Sequence, residues 1–177
     1  MRGEWIAALF LALSIPAVAF SWPHLRQPRH HGFFRFFAFE SILLLVLVNL
    51  SAWFAAPFAP IHLVSWILLV ASGFLVVHGF HLLRTAGRPS GPIERTTVLV
   101  TAGAYRFIRH PLYASLLFLG WGAYLKDPTW LGTALVGVAT ASLVATARVE
   151  EAECLAKFGR AYAEYMQRTR RFVPYLF

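Results

Sequence analysis

The chain has 177 residues, of which 58% are hydrophobic and only 14% are charged, and its mean hydropathy is +0.60. Soluble domains are about 25% charged, so this composition excludes an ordinary soluble domain and predicts an integral membrane protein. The net charge of +8 does not indicate a nucleic-acid partner, because basic residues of membrane proteins collect in cytoplasmic loops beside anionic lipids. A single cysteine, Cys154, excludes an intrachain disulfide and a Cys-x-x-Cys metal site.

Apolar runs predict the organisation of the chain, since about 20 mostly apolar residues cross a bilayer. We predict an all-α membrane bundle of about five transmembrane helices, followed by a cytoplasmic, amphipathic C-terminal helix. The predicted spans are residues 5–22, 36–58, 61–83, 111–125 and 129–147. An apolar stripe at spacings of three and four predicts the last helix; its residues are Leu155, Phe158, Tyr162 and Tyr165.

The basic residues predict the orientation. Nearly all of them fall between the first two spans, between the third and fourth, and after the fifth, whereas Arg2 and Lys126 fall on the opposite side. Basic loops stay in the cytoplasm, so we predict an N-terminus outside and a C-terminus inside a bacterial inner membrane. Residues 17–19, Ala-Val-Ala, also resemble a signal-peptide cleavage site. Cleavage would leave the first basic loop outside, so we expect the first span to be retained.

Residues 99–113, Leu-Val-Thr-Ala-Gly-Ala-Tyr-Arg-Phe-Ile-Arg-His-Pro-Leu-Tyr, place two arginines, a histidine and two tyrosines against the start of an apolar segment. Pro111 suits the first turn of a helix. One explanation makes Arg109 and His110 headgroup anchors beside an interfacial aromatic belt. Charged groups at a bilayer boundary also indicate function, so the stretch is a candidate wall of a site.

A second polar cluster, residues 148–153, follows the fifth predicted span. Taken alone, its glutamates are better explained as acidic residues in the first turn of the amphipathic helix than as functional groups. Glu151, however, lies one turn before Leu155 on the apolar face, so its carboxylate is expected to point toward the bundle. Both polar clusters are predicted on the cytoplasmic side, where they frame one helical hairpin as two walls of a site.

The order of the motifs carries a family resemblance. Residues 99–113 give Leu-Val-Thr-x-Gly-x-Tyr-x-x-x-Arg-His-Pro-x-Tyr, and the hairpin and a Glu-Glu pair follow. Residues 158–165 then give Phe-Gly-x-x-Tyr-x-x-Tyr, and residues 171–174 give Arg-x-x-Pro. This pattern resembles the isoprenylcysteine carboxyl methyltransferase family with its phospholipid methyltransferase relatives. The resemblance covers about residues 96–175, so we divide the chain into N-terminal spans, 1–95, and a catalytic region, 96–177.

The resemblance implies methyl transfer from S-adenosylmethionine to a lipophilic acceptor, an isoprenylcysteine-like carboxylate or another lipid, with S-adenosylhomocysteine as product. It implies no metal. The candidate catalytic residues are Glu151, as a proton acceptor with His110 as the alternative, and Arg148, as a cation for an acceptor carboxylate. By motif position, the residues expected at the cofactor are Thr97, Val98, Leu99, Val100, Tyr105, His110, Pro111, Leu112, Tyr113 and Glu150.

Three positions depart from the family pattern. Thr97 stands where the eukaryotic carboxyl methyltransferases have a histidine, and Ser115 stands where a glycine is common. Those enzymes also place an arginine for the substrate carboxylate where this chain has Thr146. Arg148 lies roughly 160° further around a helix from that position, which counts against a prenylcysteine substrate.

Two other functions remain open: an NADPH-dependent membrane reductase of the sterol-reductase type, and a non-catalytic lipid-binding membrane protein. The loop over residues 84–110 offers no additional arginine cluster for a 2′-phosphate. Intact His110, Tyr113 and Glu150 count against the non-catalytic alternative. The methylated atom and the acceptor stay open, and so does pairing into a homo-oligomer.

The N-terminal half holds two further features. A loop with His24, His30 and His31 can bind an anionic headgroup, although a cytoplasmic anchor is favoured; no carboxylate or cysteine accompanies these histidines, so we predict no metal site. Glu40 lies about one turn inside the second predicted span, where an acid needs a partner. That partner is either a loop arginine, reached by snorkelling, or a cationic acceptor.

Overall fold

Helices form all of the regular secondary structure in the described part of the chain. The computed structural model describes residues 2–27, 30–55, 57–91 and 96–176. Within them, the only bridges outside helices are two isolated β-bridges, and the all-α prediction is confirmed. The helices are α1 (Arg2–Leu25), α2 (His31–Val48), α3 (Pro60–Thr85), α4 (Pro111–Tyr124), α5 (Trp130–Phe158) and α6 (Arg160–Arg168), with 3-10 turns at Leu50–Ala52 and Gly103–Arg106.

Four of these helices are long and apolar enough to cross a membrane. They are α1, α2, α3 and α5, whose candidate spans are Gly3–Pro23, His31–Val48, Pro60–Thr85 and Trp130–Phe158. Helix α4 has 14 residues, so it is about 21 Å long and shorter than the roughly 30 Å hydrocarbon core of a bilayer. The helical membrane bundle is therefore confirmed, with the fourth predicted span as its short member.

Helix α2 begins and ends earlier than the sequence predicted. It starts at His31, where His30 Nδ1 accepts a hydrogen bond from the Gly32 amide at 3.1 Å and caps the first turn. It ends at Val48 because Asn49 leaves the helix and turns its side chain toward backbone carbonyls. The predicted span over residues 36–58 was wrong at both ends, since apolar residues continue through the turn that follows Asn49.

Helix α5 runs further than predicted. The sequence placed its end at residue 147, before the Glu-Glu pair, yet the helix continues without interruption to Phe158. The break falls at Gly159, whose φ of 54° lies in the left-handed region that glycine adopts easily. The separate amphipathic helix is therefore α6, which buries Tyr162 and Tyr165, and the glutamates belong to the end of α5.

The chain forms two compact units. The first comprises residues 1–69 and 117–149, and the second comprises residues 70–116 and 150–177. Helices α3, α4 and α5 each contribute residues to both. The boundary predicted between residues 95 and 96 adjoins residues 92–95, which lie outside the described part, and stays a prediction.

Packing of the first unit centres on Leu45, Ala123 and Val136, which are all buried. Asn49 Nδ2 donates a hydrogen bond to the Ala123 carbonyl at 2.8 Å, and this contact is also buried. Buried polar groups are costly unless they are bonded, so this contact fixes the end of α2 against the end of α4.

Glu40 has a partner that the sequence did not predict. Ser14 Oγ, from α1, donates a hydrogen bond to Glu40 Oε2 at 2.5 Å. The contact links α1 to α2, in the way that serine side chains join helices inside membranes. Two groups of the predicted loop, the His24 side chain and Arg29, lie outside the described residues.

Removing the Asn49 side chain tests how the first unit is held. We expect Asn49→Leu to lower the free energy of unfolding by about 1 kcal/mol, because the Ala123 carbonyl loses its donor. In thermal unfolding followed by circular dichroism in detergent, this is a fall in Tm of about 3 °C. The matched control is Tyr124→Phe, which removes an exposed hydroxyl contact with Thr133. Equal effects of the two substitutions would contradict the account.

Candidate active site

The segment that follows α3 folds back on the end of that helix. The Thr97 and Val98 amides donate hydrogen bonds to the Gly87 carbonyl at 2.9 and 3.2 Å, and Thr97 Oγ1 donates to the Arg88 carbonyl at 2.8 Å. The Thr97 and Val98 side chains are exposed, whereas Val100 is buried. The segment 97–100, whose residues are expected at the cofactor, is thus anchored to the end of α3, with exposed side chains at its start and a buried one at its end.

A glycine allows the next turn to lie against α3. Gly103 has φ +57°, and a Cβ added to it would meet His78 Nε2 at 2.5 Å and Leu82 Cδ1 at 2.6 Å. Only a residue without a side chain fits this approach. Tyr105 follows, buried, and its carbonyl accepts a hydrogen bond from the Tyr165 hydroxyl at 2.6 Å. Burial raises the pKa of the Tyr105 phenol, so this residue stays neutral at physiological pH.

The Arg-His-Pro segment pairs with the C-terminal tail through its backbone. The Arg109 amide donates to the Arg170 carbonyl at 2.7 Å, and the His110 amide donates to the Arg171 carbonyl at 3.1 Å. In return, the Arg170 amide donates to the Phe107 carbonyl at 3.1 Å. This short pairing brings residues that are about 60 positions apart in the sequence side by side.

The buried carboxylate of Glu151 binds two arginines, one on each side of this backbone pairing. Arg109 Nε donates to Glu151 Oε1 at 2.8 Å, while Arg171 donates through Nη2 to Oε2 at 2.7 Å and through Nε to Oε1 at 3.1 Å. The Glu151 side chain is only 6% exposed. The hydrogen bond to Glu151 raises the pKa of Arg171, which stays charged. Charge-assisted, two-pronged pairs of this kind are among the stronger polar contacts in proteins. They join α5, the Arg-His-Pro segment and the tail.

His110 and Glu150 form the part of the cluster with unused bonding capacity. His110 is buried, with Nε2 3.4 Å from Glu151 Oε1 and Nδ1 4.0 Å from Glu150 Oε2. Glu150 Oε2 is itself buried and has no hydrogen-bond partner among the described residues. The His110 ring stacks on Tyr113 at 5.5 Å and lies 6.2 Å from Phe172. Glu150 Oε2 therefore lies beside a histidine ring that itself packs against two aromatic rings.

The structure brings together some of the predicted site residues. His110, Glu150 and Glu151 lie within a few ångströms of one another, and Tyr113 stacks on His110. Arg148 belongs to the first unit and is exposed. The other predicted cofactor residues in the second unit divide by burial: Val100, Tyr105 and Pro111 are buried, Leu99 and Leu112 are half-buried, and Thr97 and Val98 are exposed.

Sequence reasoning missed the role of Arg171. The sequence offered Arg171 only as the first residue of a terminal Arg-x-x-Pro motif, and Arg109 as a headgroup anchor. The available signal was Glu151 itself, because a carboxylate on an apolar helix face requires a cation. Both oxygens of Glu151 accept hydrogen bonds from guanidinium groups. These contacts position the Arg-His-Pro segment and the tail against α5.

Breaking one of these ion pairs tests the cluster. We expect Arg171→Met to lower the free energy of unfolding by about 2 kcal/mol, because two charge-assisted hydrogen bonds to a buried carboxylate are lost. The matched control, Arg160→Met, breaks an exposed pair with Glu164 and should change stability by less than about 1 kcal/mol. The readout is thermal or denaturant unfolding of both variants in the same detergent. Similar losses for the two variants would contradict a structural role for the Glu151 cluster.

Comparison with known proteins gives the family. The sequence matches the family model described as "Phospholipid methyltransferase" over residues 60–161. It is 25% identical over 127 residues to Methanethiol S-methyltransferase 1 of Bradyrhizobium diazoefficiens, covering 68% of this chain and 42% of that protein. It is 29% identical over 136 residues to Methanethiol S-methyltransferase 2 of the same organism, covering 73% of this chain and 49% of that protein.

The matches cover only part of the relatives but more than half of this chain. The chain spans less than half the length of either curated relative, and no solved structure matches it. The family match, in contrast, covers more than half of this chain and reaches back to the start of α3, which the motifs alone did not include. The resemblance predicted from the motifs is confirmed, and the chain belongs to the phospholipid methyltransferase family.

Proposed function

We propose that this chain transfers a methyl group from S-adenosylmethionine to a lipophilic acceptor. The observation that carries the proposal is Glu150 Oε2, a buried carboxylate oxygen without a partner among the described residues, 4.0 Å from the His110 ring. Family membership favours this function over the reductase and the non-catalytic protein that the sequence left open.

The residues present fit the cofactor. S-adenosylmethionine carries an ammonium, a sulfonium and a carboxylate, and it supplies an activated methyl group when bound. Glu150 offers the ammonium a carboxylate oxygen that has no hydrogen-bond partner among the described residues, as a charge-assisted contact. Tyr105 and Tyr113 offer aromatic faces, which attract cations and stack on flat rings. The backbone of residues 97–100, with Pro111 and Leu112, completes the proposed set.

Alignment and exclusion of water are the main contributions that these residues make to the reaction. A sulfonium loses its charge as its methyl group leaves, so catalysis gains from a dry, fixed geometry. Buried Tyr105, Tyr113 and Phe172 supply that environment. We assign Glu151 to positioning, because its oxygens already bond Arg109 and Arg171.

The acceptor decides whether a proton must be removed. A carboxylate needs no base, whereas a thiol, amine or hydroxyl loses a proton as it is methylated. Both His110 and Glu151 were predicted as proton acceptors. With Glu151 held by two guanidinium groups, His110 is the better candidate. The catalytic roles predicted for Glu151 and Arg148 stay predictions.

A small lipophilic thiol is the first acceptor to test. Both curated relatives are named for methanethiol. Thr146, where the carboxyl methyltransferases have an arginine, is buried and donates a hydrogen bond back to the Ser142 carbonyl of its own helix at 2.8 Å. That position therefore offers no cation to a prenylcysteine carboxylate.

The membrane setting follows the charge distribution. We propose the N-terminus outside and the C-terminus inside a bacterial inner membrane, so that the Arg-His-Pro segment and α6 face the cytoplasm, where the cofactor is available. Residues 96–177 are proposed as the catalytic region. Four candidate membrane-spanning helices support the membrane location.

Replacing the Glu150 carboxylate by an amide tests the proposed function. We expect the wild-type protein to bind S-adenosylhomocysteine in detergent, and Glu150→Gln to bind it at least about tenfold more weakly, because a charge-assisted hydrogen bond is lost. Isothermal titration calorimetry measures both. Glu164→Gln makes the same chemical change on an exposed face of α6 and should bind like wild type.

Two results would contradict the proposal. One is folded wild-type protein that does not bind S-adenosylhomocysteine. The other is Glu150→Gln binding as tightly as the Glu164→Gln control. Labelled methyl transfer to methanethiol, beside a prenylcysteine, then separates the acceptor classes.

A further inference from the structure

Lys126 is a buried cation that the proposed reaction does not use. It lies in the turn between α4 and α5, and only 3% of the residue is exposed. Lysines near a membrane surface normally extend their ammonium groups toward water. Here the Nζ atom lies 3.6 Å from the centroid of the Trp66 ring, and it has no hydrogen-bond partner among the described residues.

A second unmet donor lies beside the same ring. Trp53 packs edge-on against Trp66, with ring centroids 6.3 Å apart and an interplanar angle of 88°. Its Nε1 atom is buried and is also without a hydrogen-bond partner in the described part of the chain. Lysine ammonium and indole N–H groups can only donate hydrogen bonds. A hydrogen-bond acceptor would therefore satisfy either group.

Among the described residues, no neighbouring polar side chain accepts a hydrogen bond from the Lys126 ammonium. His62 Nε2 lies 3.0 Å from the Lys126 carbonyl in the turn, and Asn49 Nδ2 donates to the Ala123 carbonyl at the end of α4, so both contact backbone carbonyls. Asp127 is exposed. Burial lowers the pKa of Lys126, as expected for a cation that has left water without a counter-charge. The Trp66 face offsets only part of that cost.

One exposed aromatic side chain packs beside Trp66: Phe54 lies 5.7 Å from the Trp66 ring and is 73% exposed. Phe58, just before α3, and Trp130, at the start of α5, are also exposed. Exposed aromatic side chains at the ends of membrane helices are typical of the headgroup layer. The first turns of α3 also expose Ile61 and Ile67, along which an acyl chain can lie.

We propose that Lys126 and Trp53 bind the phosphate of an anionic phospholipid. Its oxygens accept hydrogen bonds from Lys126 Nζ and Trp53 Nε1, with the Trp66 ring against the ammonium and Phe54 displaced outward as the headgroup enters. The phosphate supplies a negative charge for the Lys126 ammonium and a hydrogen-bond acceptor for both donors. All of these protein groups belong to the first unit, and the inference does not depend on methyl transfer.

Lipid binding to detergent-purified, delipidated protein tests this inference. Phosphatidylglycerol is titrated against wild type, Lys126→Met and Trp53→Phe, and bound lipid is counted by native mass spectrometry. We expect wild type to prefer phosphatidylglycerol over phosphatidylcholine, and Lys126→Met to bind phosphatidylglycerol about tenfold more weakly. Trp53→Phe keeps an aromatic ring and loses one donor, so it should show a smaller loss.

The controls keep the test decisive. Arg160→Met removes an exposed positive charge from α6 and should leave phosphatidylglycerol binding unchanged. If Lys126→Met does not fold, judged by circular dichroism, Trp53→Phe alone decides the outcome. Undiminished phosphatidylglycerol binding in the folded variants would overturn the inference, and so would equal competition by inorganic phosphate, which would indicate an anion site without lipid specificity.

Discussion

The second unit depends on one buried carboxylate, Glu151. A charge in this position is costly unless it is paired and hydrogen-bonded, and the chain satisfies it with two arginines from distant segments. Arg109 comes from the Arg-His-Pro stretch and Arg171 from the tail. The same contact therefore fixes the end of α5, the start of α4 and the C-terminal residues. The backbone pairing of the Arg-His-Pro segment with the tail then follows in register.

The position of Glu151 sets the position of its neighbour. Successive residues on a helix point about 100° apart, so Glu150 projects in a different direction from Glu151, with its Oε2 atom 4.0 Å from His110 Nδ1. Glu151 thus joins three segments of the fold, and Glu150 keeps an oxygen without a hydrogen-bond partner among the described residues. The proposed function assigns that oxygen to the ammonium of the methyl donor.

The membrane helices could be predicted from sequence because their hydropathy is high over a sufficient length. The residues of the candidate site could be predicted because the order of their motifs matches that of a family. The continuation of α5 to Phe158 could not be predicted, because the polar residues 148–153 indicate the end of a membrane span. Most of these residues nevertheless favour helix, so the helix continues through them. The end of α2 was missed because apolar residues continue past Asn49, whose buried hydrogen bond depends on tertiary contact with Ala123. The pairing of Arg171 with Glu151 was missed for the same reason.

Photochemical cross-linking of tritiated S-adenosylmethionine tests the central claim, that the donor binds between the Arg-His-Pro segment and the end of α5. After irradiation of the detergent-purified protein and proteolysis, the labelled peptides are identified by mass spectrometry. The account predicts label in residues 97–113 or beside Glu150, and its loss when excess S-adenosylhomocysteine competes. Label confined to α1 or α2, or label that resists competition, would contradict the account.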